Sequence, residues 1–440
     1  MLQLKTLPLF FSLVFLTPTT YAFTLLDAWQ AALNYSADFS AAKHQRDAES
    51  EKKNQARAEL LPQVNAHASY QRQPYSLSST TQNHGWGMQA SQVLFDRTRF
   101  AQYTQGKIAA EMADARLNGR EDELRMDVAK AYFDVLLHQD KLTAIADEKA
   151  AYARQLERAR EMFNQGAATI LDTHEAQAGF DTALAKEIDT QTQLQVAANT
   201  LLNLTGLDPN QIRPVKNNQA LADLLGESQE QEWQALAEQH NPEWQLQRKT
   251  LEDSTQAVKA AKGSRLPTLT VNGGYQDNHN TYRSQDFFGN HFDQTQRSKG
   301  GMVTVQLSVP LFSGGKISSQ IREAAARELQ NKDLLTATER RVKLAVKQAY
   351  QTTRSKKNQT LAQQRLLDSN QIKLESTQLG RQVGVRNNLE ETQAQQAKAD
   401  AEQKLAEAKY TYIQSYLQLL QSTGVLADEN RIQTIGTMLF

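Results

Sequence analysis

The sequence contains the same arrangement of residues twice, and this duplication limits the folds that the chain can adopt. Leu61-Pro62 recurs as Leu266-Pro267 with an offset of 205, and Gly166 recurs as Gly384 with an offset of 218. Further pairs with the second offset are Ala131-Tyr132 and Ala349-Tyr350, Leu171 and Leu389, Gln177 and Gln395, Leu201-Leu202 and Leu419-Leu420, and Thr205-Gly206 and Thr423-Gly424. Self-similarity at a fixed period indicates repeated structural units, here of roughly 210 residues each.

The first residues have the pattern of a secretory signal peptide. Lys5 precedes an apolar run from Leu7 to Leu16, and the segment ends in the small residue Ala22. The run is too short to span a membrane, and the alternative interpretation is an ordinary buried first helix. We predict a signal peptide at 1–22, repeats at 23–207 and 229–424, a linker at 208–228 and a C-terminal segment at 425–440.

Each repeat is predicted to contain a helix, two strands, a long helix, a glycine turn and a returning helix. The first helix, 25–59, ends before Pro62, because proline does not continue a helix. The other predicted helices are the long ones at 97–164 and 316–382, which lack proline, and the returning ones at 170–204 and 388–422. Apolar residues at seven-residue spacing, interrupted by Lys149, indicate a coiled-coil seam at Val128, Val135, Leu142, Leu156 and Phe163. Two short helices placed end to end would cover each long helix.

Alternating residues predict four strands, each with one apolar and one polar face. Val64, Ala66 and Ala68 alternate with polar residues in the first strand, and the others repeat this pattern. The predicted strands are 63–75, 86–95, 268–282 and 302–312. Strands of this length cross an outer membrane when they are tilted. The alternative is a soluble antiparallel sheet packed on one side, which shows the same alternation.

Lipid does not tolerate an open sheet edge, so a membrane sheet has to close into a barrel. The smallest barrels have about eight strands, whereas this chain offers only four. The chain would therefore share a barrel with further copies as an obligate oligomer. Aromatic residues near the strand ends suit a membrane interface: Tyr70, Tyr75, Trp86, Tyr275, Tyr282, Phe287 and Phe288. The polar segment 277–299 is predicted to be a cell-surface loop, with a disordered insertion as the alternative.

The composition excludes several classes of function. Lys and Arg total 49, as do Asp and Glu, so the chain has no electrostatic footprint for nucleic acid. The absence of cysteine excludes disulfides, thiol nucleophiles, cysteine zinc sites and a cysteine lipid anchor. The segment Ser313-Gly314-Gly315-Lys316 lacks the spacing of a phosphate-binding loop and is predicted to be a turn, with Ser313 capping the next helix. The scattered histidines and mixed charges predict neither a metal site, nor a cofactor, nor an enzyme.

The order and spacing of several short motifs resemble the TolC family of outer-membrane efflux and secretion channels. The motifs are Leu-Pro before the first strand of each repeat, Leu311 to Gly315 after the last strand, Phe163 to Gly166 followed by Leu171-Asp172, Val383 to Arg386, and Leu204 to Gly206. The resemblance covers essentially the whole mature chain. One departure is Asp96-Arg97-Thr98, where many family members have glycines.

The resemblance implies a mainly α-helical α+β fold. Four transmembrane strands from each of three chains would form a 12-strand β-barrel that continues into a 12-helix periplasmic α-barrel. The implied function is a passive, gated exit duct of a tripartite efflux or type I secretion system, exporting small molecules or proteins through the outer membrane. The implied partners are outer-membrane lipid, a periplasmic adaptor and an inner-membrane transporter of the ABC, RND or MFS class. The alternative is a periplasmic coiled-coil adaptor or scaffold without a membrane barrel.

The resemblance also implies roles for residues at the closed inner end of the duct. Asp172 matches an acidic latch partner, and Arg386 matches the arginine that ties adjacent helix pairs. Glu390 matches the first acidic ring, Gln393 stands where a second acid is frequent, and Arg381 stands where a tyrosine latch is common. For each of them the structural alternative is a solvated charge on a coiled coil.

The two turn glycines complete the predicted inner end. Gly166 and Gly384 would let each long helix reverse direction, because glycine adopts positive φ without strain. The resemblance implies that the adaptor docks on these helix turns.

Overall fold

The computed structural model describes residues 22–76, 79–215, 224–285 and 288–428, together with residues 431 and 436. The predicted signal peptide therefore lies outside the described residues except for Ala22, and so does a part of the predicted linker.

The described chain passes twice through the same series of two helices, two strands and two helices. The elements of the first pass are α1 (Leu25–Tyr35), α2 (Ala37–Ala58), β1 (Gln63–Ser76), β2 (Ser79–Phe95), α3 (Arg97–Asn164) and α4 (Ile170–Thr205). Those of the second pass are α5 (Glu230–His240), α6 (Pro242–Gly263), β3 (Thr268–Gln285), β4 (His291–Ser308), α7 (Lys316–Gln382) and α8 (Asn388–Thr423). The predicted combination of long helices with a four-stranded sheet is confirmed. None of the helices in the described ranges combines the length and apolarity that a membrane crossing requires.

The first predicted helix is interrupted at a single residue. Ser36 has an extended ψ of 118°, and its hydroxyl accepts a hydrogen bond of 3.3 Å from the Phe39 backbone N–H. A serine side chain competes with helical backbone bonds in this way, so it ends α1 and caps α2. Asn241 does the same between α5 and α6, where its side chain accepts a 2.9 Å hydrogen bond from the Trp244 N–H. The prediction of one helix over 25–59 was wrong at this point.

The helices form two tiers that share the long helices α3 and α7. Beside the sheet the packing order is α2, α3, α6, α7, and beyond it the order is α4, α3, α8, α7. The short helices thus follow one another along each long helix, as the sequence predicts. The 68 residues of α3 span about 100 Å at 1.5 Å per residue.

The main hydrophobic core lies where the two tiers meet. Its largest fully buried side chains include Trp29, Tyr132, Phe133, Leu136, Leu201, Tyr412, Ile413, Leu417, Leu419 and Leu420. The Trp29 Nε1 donates a 2.7 Å hydrogen bond to the Arg125 carbonyl, and the Tyr132 hydroxyl donates one of 2.7 Å to the Arg213 carbonyl. These bonds fix α1 and the segment after α4 to the middle of α3. Of the predicted seam, Val128, Val135 and Leu156 are buried, whereas Phe163 is exposed.

The four strands form one antiparallel sheet in the order β1-β2-β3-β4, which leaves β1 and β4 as its edges. The predicted loop 277–299 is mostly strand, because β3 and β4 continue pairing to Gln285 opposite His291. The strand pattern was hidden there because both faces of the extension are polar. Two further predictions were wrong. Strand β4 ends at Ser308, two residues before Pro310, and α7 is capped by Gly315 at φ 85° rather than by Ser313.

Candidate functional site

The first helix hairpin consists of α3 and α4 and the second of α7 and α8, and both reverse direction at the predicted glycines. Gly166 has a φ of 72° and Gly384 a φ of 78°, a region that favours glycine. The N–H after each glycine reaches back across the turn, from Ala167 to the Met162 carbonyl at 2.8 Å and from Val385 to the Gly380 carbonyl at 2.8 Å. These bonds satisfy carbonyls at the helix end. Both turns are exposed and thus open to contact.

Both returning helices begin with the same capping arrangement. In α4 the Asp172 carboxylate accepts hydrogen bonds from the Thr169 N–H at 2.9 Å and the Thr169 hydroxyl at 2.7 Å. In α8 the Glu390 carboxylate accepts a 3.3 Å hydrogen bond from the Asn387 N–H, and the Glu390 N–H donates a 2.9 Å hydrogen bond to the Asn387 side chain. Hydrogen bonds from Thr169 lower the pKa of Asp172. Asp172 and Glu390 therefore occupy equivalent positions, and each first stabilises its own helix.

The predicted arginine pairs locally within the second hairpin. The Arg386 Nη1 lies 3.1 Å from the Glu390 Oε1, one turn away along the chain. Within one chain Arg386 therefore steadies the α7–α8 turn, and its role between adjacent helix pairs stays a prediction. Gln393 is exposed on α8, and its role in an acidic ring also stays a prediction.

A buried carboxylate at Glu391 joins the two hairpins. Its side chain forms an ion pair with Arg381 at the end of α7, and its Oε1 lies 3.8 Å from the Arg158 Nη2 on α3. Beside this pair the Gln155 amide of α3 donates a hydrogen bond to the Thr392 hydroxyl of α8. Arg381 thus belongs to an ion-pair cluster. This cluster and the Gln155–Thr392 bond link α3 of the first hairpin to α8 of the second.

Sequence reasoning missed Glu391, although a signal was present. Glu391 lies one helical turn before Ala394, a fully buried residue, and therefore on the packed face of α8. A carboxylate on a packed face requires a cationic partner, and Arg158 on α3 is one of the two.

Further polar contacts hold α3 against α8 above the turns. The Tyr410 hydroxyl donates a 2.7 Å hydrogen bond to the Asp140 carboxylate, and Lys141 lies 3.6 Å from Glu407. Among the described ion pairs between the two hairpins, the Glu391 cluster is the one nearest their ends.

The sheet presents two chemically different faces, since residues directly opposite each other in the register share a face. One face carries Val64 opposite Ala90 and Val271 opposite Val305. The other is polar but uncharged: the described strands place no Asp, Glu, Lys or Arg on it. No group of His, Asp or Glu in the described parts of the chain is arranged to hold a metal ion.

Comparison with known proteins gives consistent results. The sequence model of the family described as outer membrane efflux protein matches residues 28–207 and 233–425. The chain is 29% identical to the outer membrane protein TolC of Vibrio cholerae over 97% of each chain. It is 28% identical to the proteases secretion protein PrtF of Dickeya chrysanthemi, over 94% of this chain and 90% of PrtF. The fold matches a membrane protein crystallised from Pseudomonas aeruginosa with a TM-score of 0.76 and 19% identity, over 91% of this chain and 93% of that one.

Proposed function

The chain belongs to the outer membrane efflux protein family and is an outer-membrane exit duct, and we propose that it works as a homotrimer with a gate at its helix turns. The single observation that carries this proposal is the sheet with one apolar face, one uncharged polar face and two unpaired edges.

The number of chains in the assembly follows from the requirement that the sheet close into a barrel. Among the described residues no strand pairs with the outer edges of β1 and β4, and a bilayer does not solvate such edges. Two copies would close an eight-stranded barrel, and side chains fill the interior of a barrel of that size. Three copies give twelve strands and leave a lumen lined by the polar face, which passive transport requires.

The gate follows from the contacts at the hairpin ends. The pair of Glu391 with Arg158 and the bond of Gln155 to Thr392 hold the first hairpin against the second. Separation of α3 from α8 at this end would break both ties and widen the tunnel. Arg386, Asp172 and Gln393 lie on the same turns and would meet the neighbouring copies, where their predicted latch and ring roles apply.

A passive duct supplies no energy for transport, so we propose that it acts with two partners. A periplasmic adaptor would dock on the exposed turns at Gly166 and Gly384. An inner-membrane transporter of the ABC, RND or MFS class would select the cargo. The relative PrtF is named for the secretion of proteases. Proteins and small molecules are both compatible with an uncharged lumen.

The two faces of β4 give a sharp test of the membrane barrel. Val305 lies on the apolar face, and its neighbour Thr304 lies on the polar face. An arginine toward lipid costs about 2–4 kcal/mol per chain, whereas an arginine toward the lumen is hydrated. We therefore expect Val305→Arg to abolish trimers in outer-membrane fractions and Thr304→Arg to preserve them.

The measurements are membrane fractionation, the mass of the detergent-solubilised protein and conductance in planar bilayers. Three chains and stepwise conductance are expected of the parent and of Thr304→Arg. A parent chain that stays monomeric in plain buffer, or equal behaviour of the two arginine variants, would contradict the duct and favour a periplasmic scaffold.

A further inference from the structure

All the Asp, Lys and Arg side chains on the described strands share the apolar face of the sheet. They are Arg72, Asp277, Arg283, Asp293, Arg297 and Lys299. Their positions follow from the register, in which Trp86 lies opposite Asp277 and Asp277 lies opposite Lys299. In a membrane barrel, charged residues would be expected on the polar face, which lines the lumen. The location of these residues on the apolar face therefore requires an explanation.

The charges are confined to the end of the sheet that is remote from the helices. Tyr70, Trp86 and Tyr275 mark the limit of the apolar rows on the same face, with the rings of Trp86 and Tyr275 5.6 Å apart. Such aromatic side chains settle at the membrane interface. Because β3 has 18 residues and a crossing requires about 9–11, its outer half extends past the apolar layer. The charged residues therefore stand at the level of the lipid headgroups.

Two of the four cations are already paired, and two are not. The Arg297 Nε donates a 2.9 Å hydrogen bond to Asp277, and the Arg283 Nε lies 3.2 Å from Asp293. Over the described strands neither Arg72 nor Lys299 forms an ion pair. The face thus has an excess of positive charge just beyond the aromatic side chains.

The two unpaired cations lie on opposite edges of the sheet, Arg72 on β1 and Lys299 on β4. If three copies close a barrel, as proposed above, each β4 lies beside the β1 of the next copy. Lys299 of one copy and Arg72 of the next then border the same seam. We propose that each seam binds the phosphate of a lipid headgroup in the outer leaflet through these two cations.

The chemistry of the seam fits this occupant better than a soluble anion. Lysine and arginine both bind phosphate oxygens, and cations near a membrane surface attract anionic headgroups. The apolar rows below, which include Val303 and Val305, would contact the acyl chains of the same lipid. A single amphipathic molecule therefore satisfies both parts of the face.

The test counts lipids bound to the purified full-length trimer by native mass spectrometry. The probes are bisphosphoryl lipid A and the same lipid after removal of both phosphates. We expect the phosphorylated probe to bind preferentially, and the preference to vanish when salt rises from about 50 to about 500 mM. Arg72→Gln with Lys299→Gln should weaken phosphorylated binding about thirtyfold. Arg72→Lys with Lys299→Arg should retain it. Arg265→Gln, at the helix side of the sheet, is the matched control.

Equal binding of the two probes by the parent trimer would overturn the proposal, whatever the variants do. Unchanged binding by the double glutamine variant would overturn it as well. Trimer mass and conductance are measured on the same samples. If these persist while the phosphate preference is absent, the lipid site fails and the duct stands. If the parent forms no trimer, the duct itself fails.

Discussion

Neutralising Arg158 should raise the open fraction of the channel. Arg158 supplies the α3 side of the charged tie to Glu391, which is buried on α8. The substitution Arg158→Gln removes this attraction between the hairpins. It leaves the pair of Glu391 with Arg381 in place within the second hairpin.

The size of the effect follows from the exposure of the arginine. The Arg158 side chain is 45% exposed and its nearest nitrogen lies 3.8 Å from the carboxylate, so solvent screens the pair. Screened pairs of this kind contribute about 0.5–1 kcal/mol. If the three hairpin pairs of a trimer open together, the total is about 1.5–3 kcal/mol, which changes the open-to-closed ratio about tenfold to a hundredfold.

The assay is the open probability of single channels in planar bilayers without adaptor. Arg154→Gln is the matched control, because Arg154 lies one turn earlier on α3 and is exposed. Combining Arg158→Gln with Glu391→Gln should add little to the open fraction beyond Glu391→Gln alone, since the shared contact is already lost. Equal open probabilities for the parent, Arg158→Gln and Arg154→Gln would refute the proposed tie.

Three further substitutions test local features through thermal unfolding of the purified protein. Burial, and then Glu121, raise the pKa of Asp122 from 3.8 to about 7, so stability falls between about pH 4 and about pH 7, where the carboxyl ionises in the unfolded chain but not in the folded one. Asp122→Asn should therefore be more stable than the parent at pH 8 by at most about 4 kcal/mol and similar to it near pH 4. Because hydrogen bonds lower the pKa of Asp172, its cap contributes about 1 kcal/mol above its unfolded pKa and loses this as pH falls; Asp172→Asn should abolish that dependence. Gly384→Ala should cost about 1 kcal/mol from its φ of 78° alone, since a Cβ there meets no other atom.

The helical part of the fold follows closely from the sequence. Long helices without proline, a repeated seven-residue spacing and turn glycines act locally, so α3 and α7 begin and end where predicted. Ser36 breaks the first helix because one hydroxyl outcompetes a backbone bond. Serine is common inside helices, and this break has no distinct sequence pattern.

The extent of the strands and the contacts at the hairpin ends were harder to predict from the sequence. Alternation locates strands only where one face is apolar, so residues 79–85 of β2, the last three residues of β3 and the outer half of β4 escaped prediction, although β3 and β4 pair as far as Gln285 opposite His291. At the hairpin ends the resemblance supplied Arg386 and Glu390, but it did not supply Glu391. The contact of Glu391 with Arg158 joins helices more than 200 residues apart, and only the packing of α3 against α8 brings these residues together.

The distribution of charge differs between the sheet and the helix turns. The described strands place no Asp, Glu, Lys or Arg on the polar face of the sheet. The helix turns, by contrast, carry Arg386, Glu390 and the Glu391 cluster within a few residues. If the proposed gate lies at these turns, their charges would act on cargo before it reaches the uncharged polar face of the sheet, and a partner that favours the open hairpins would control entry.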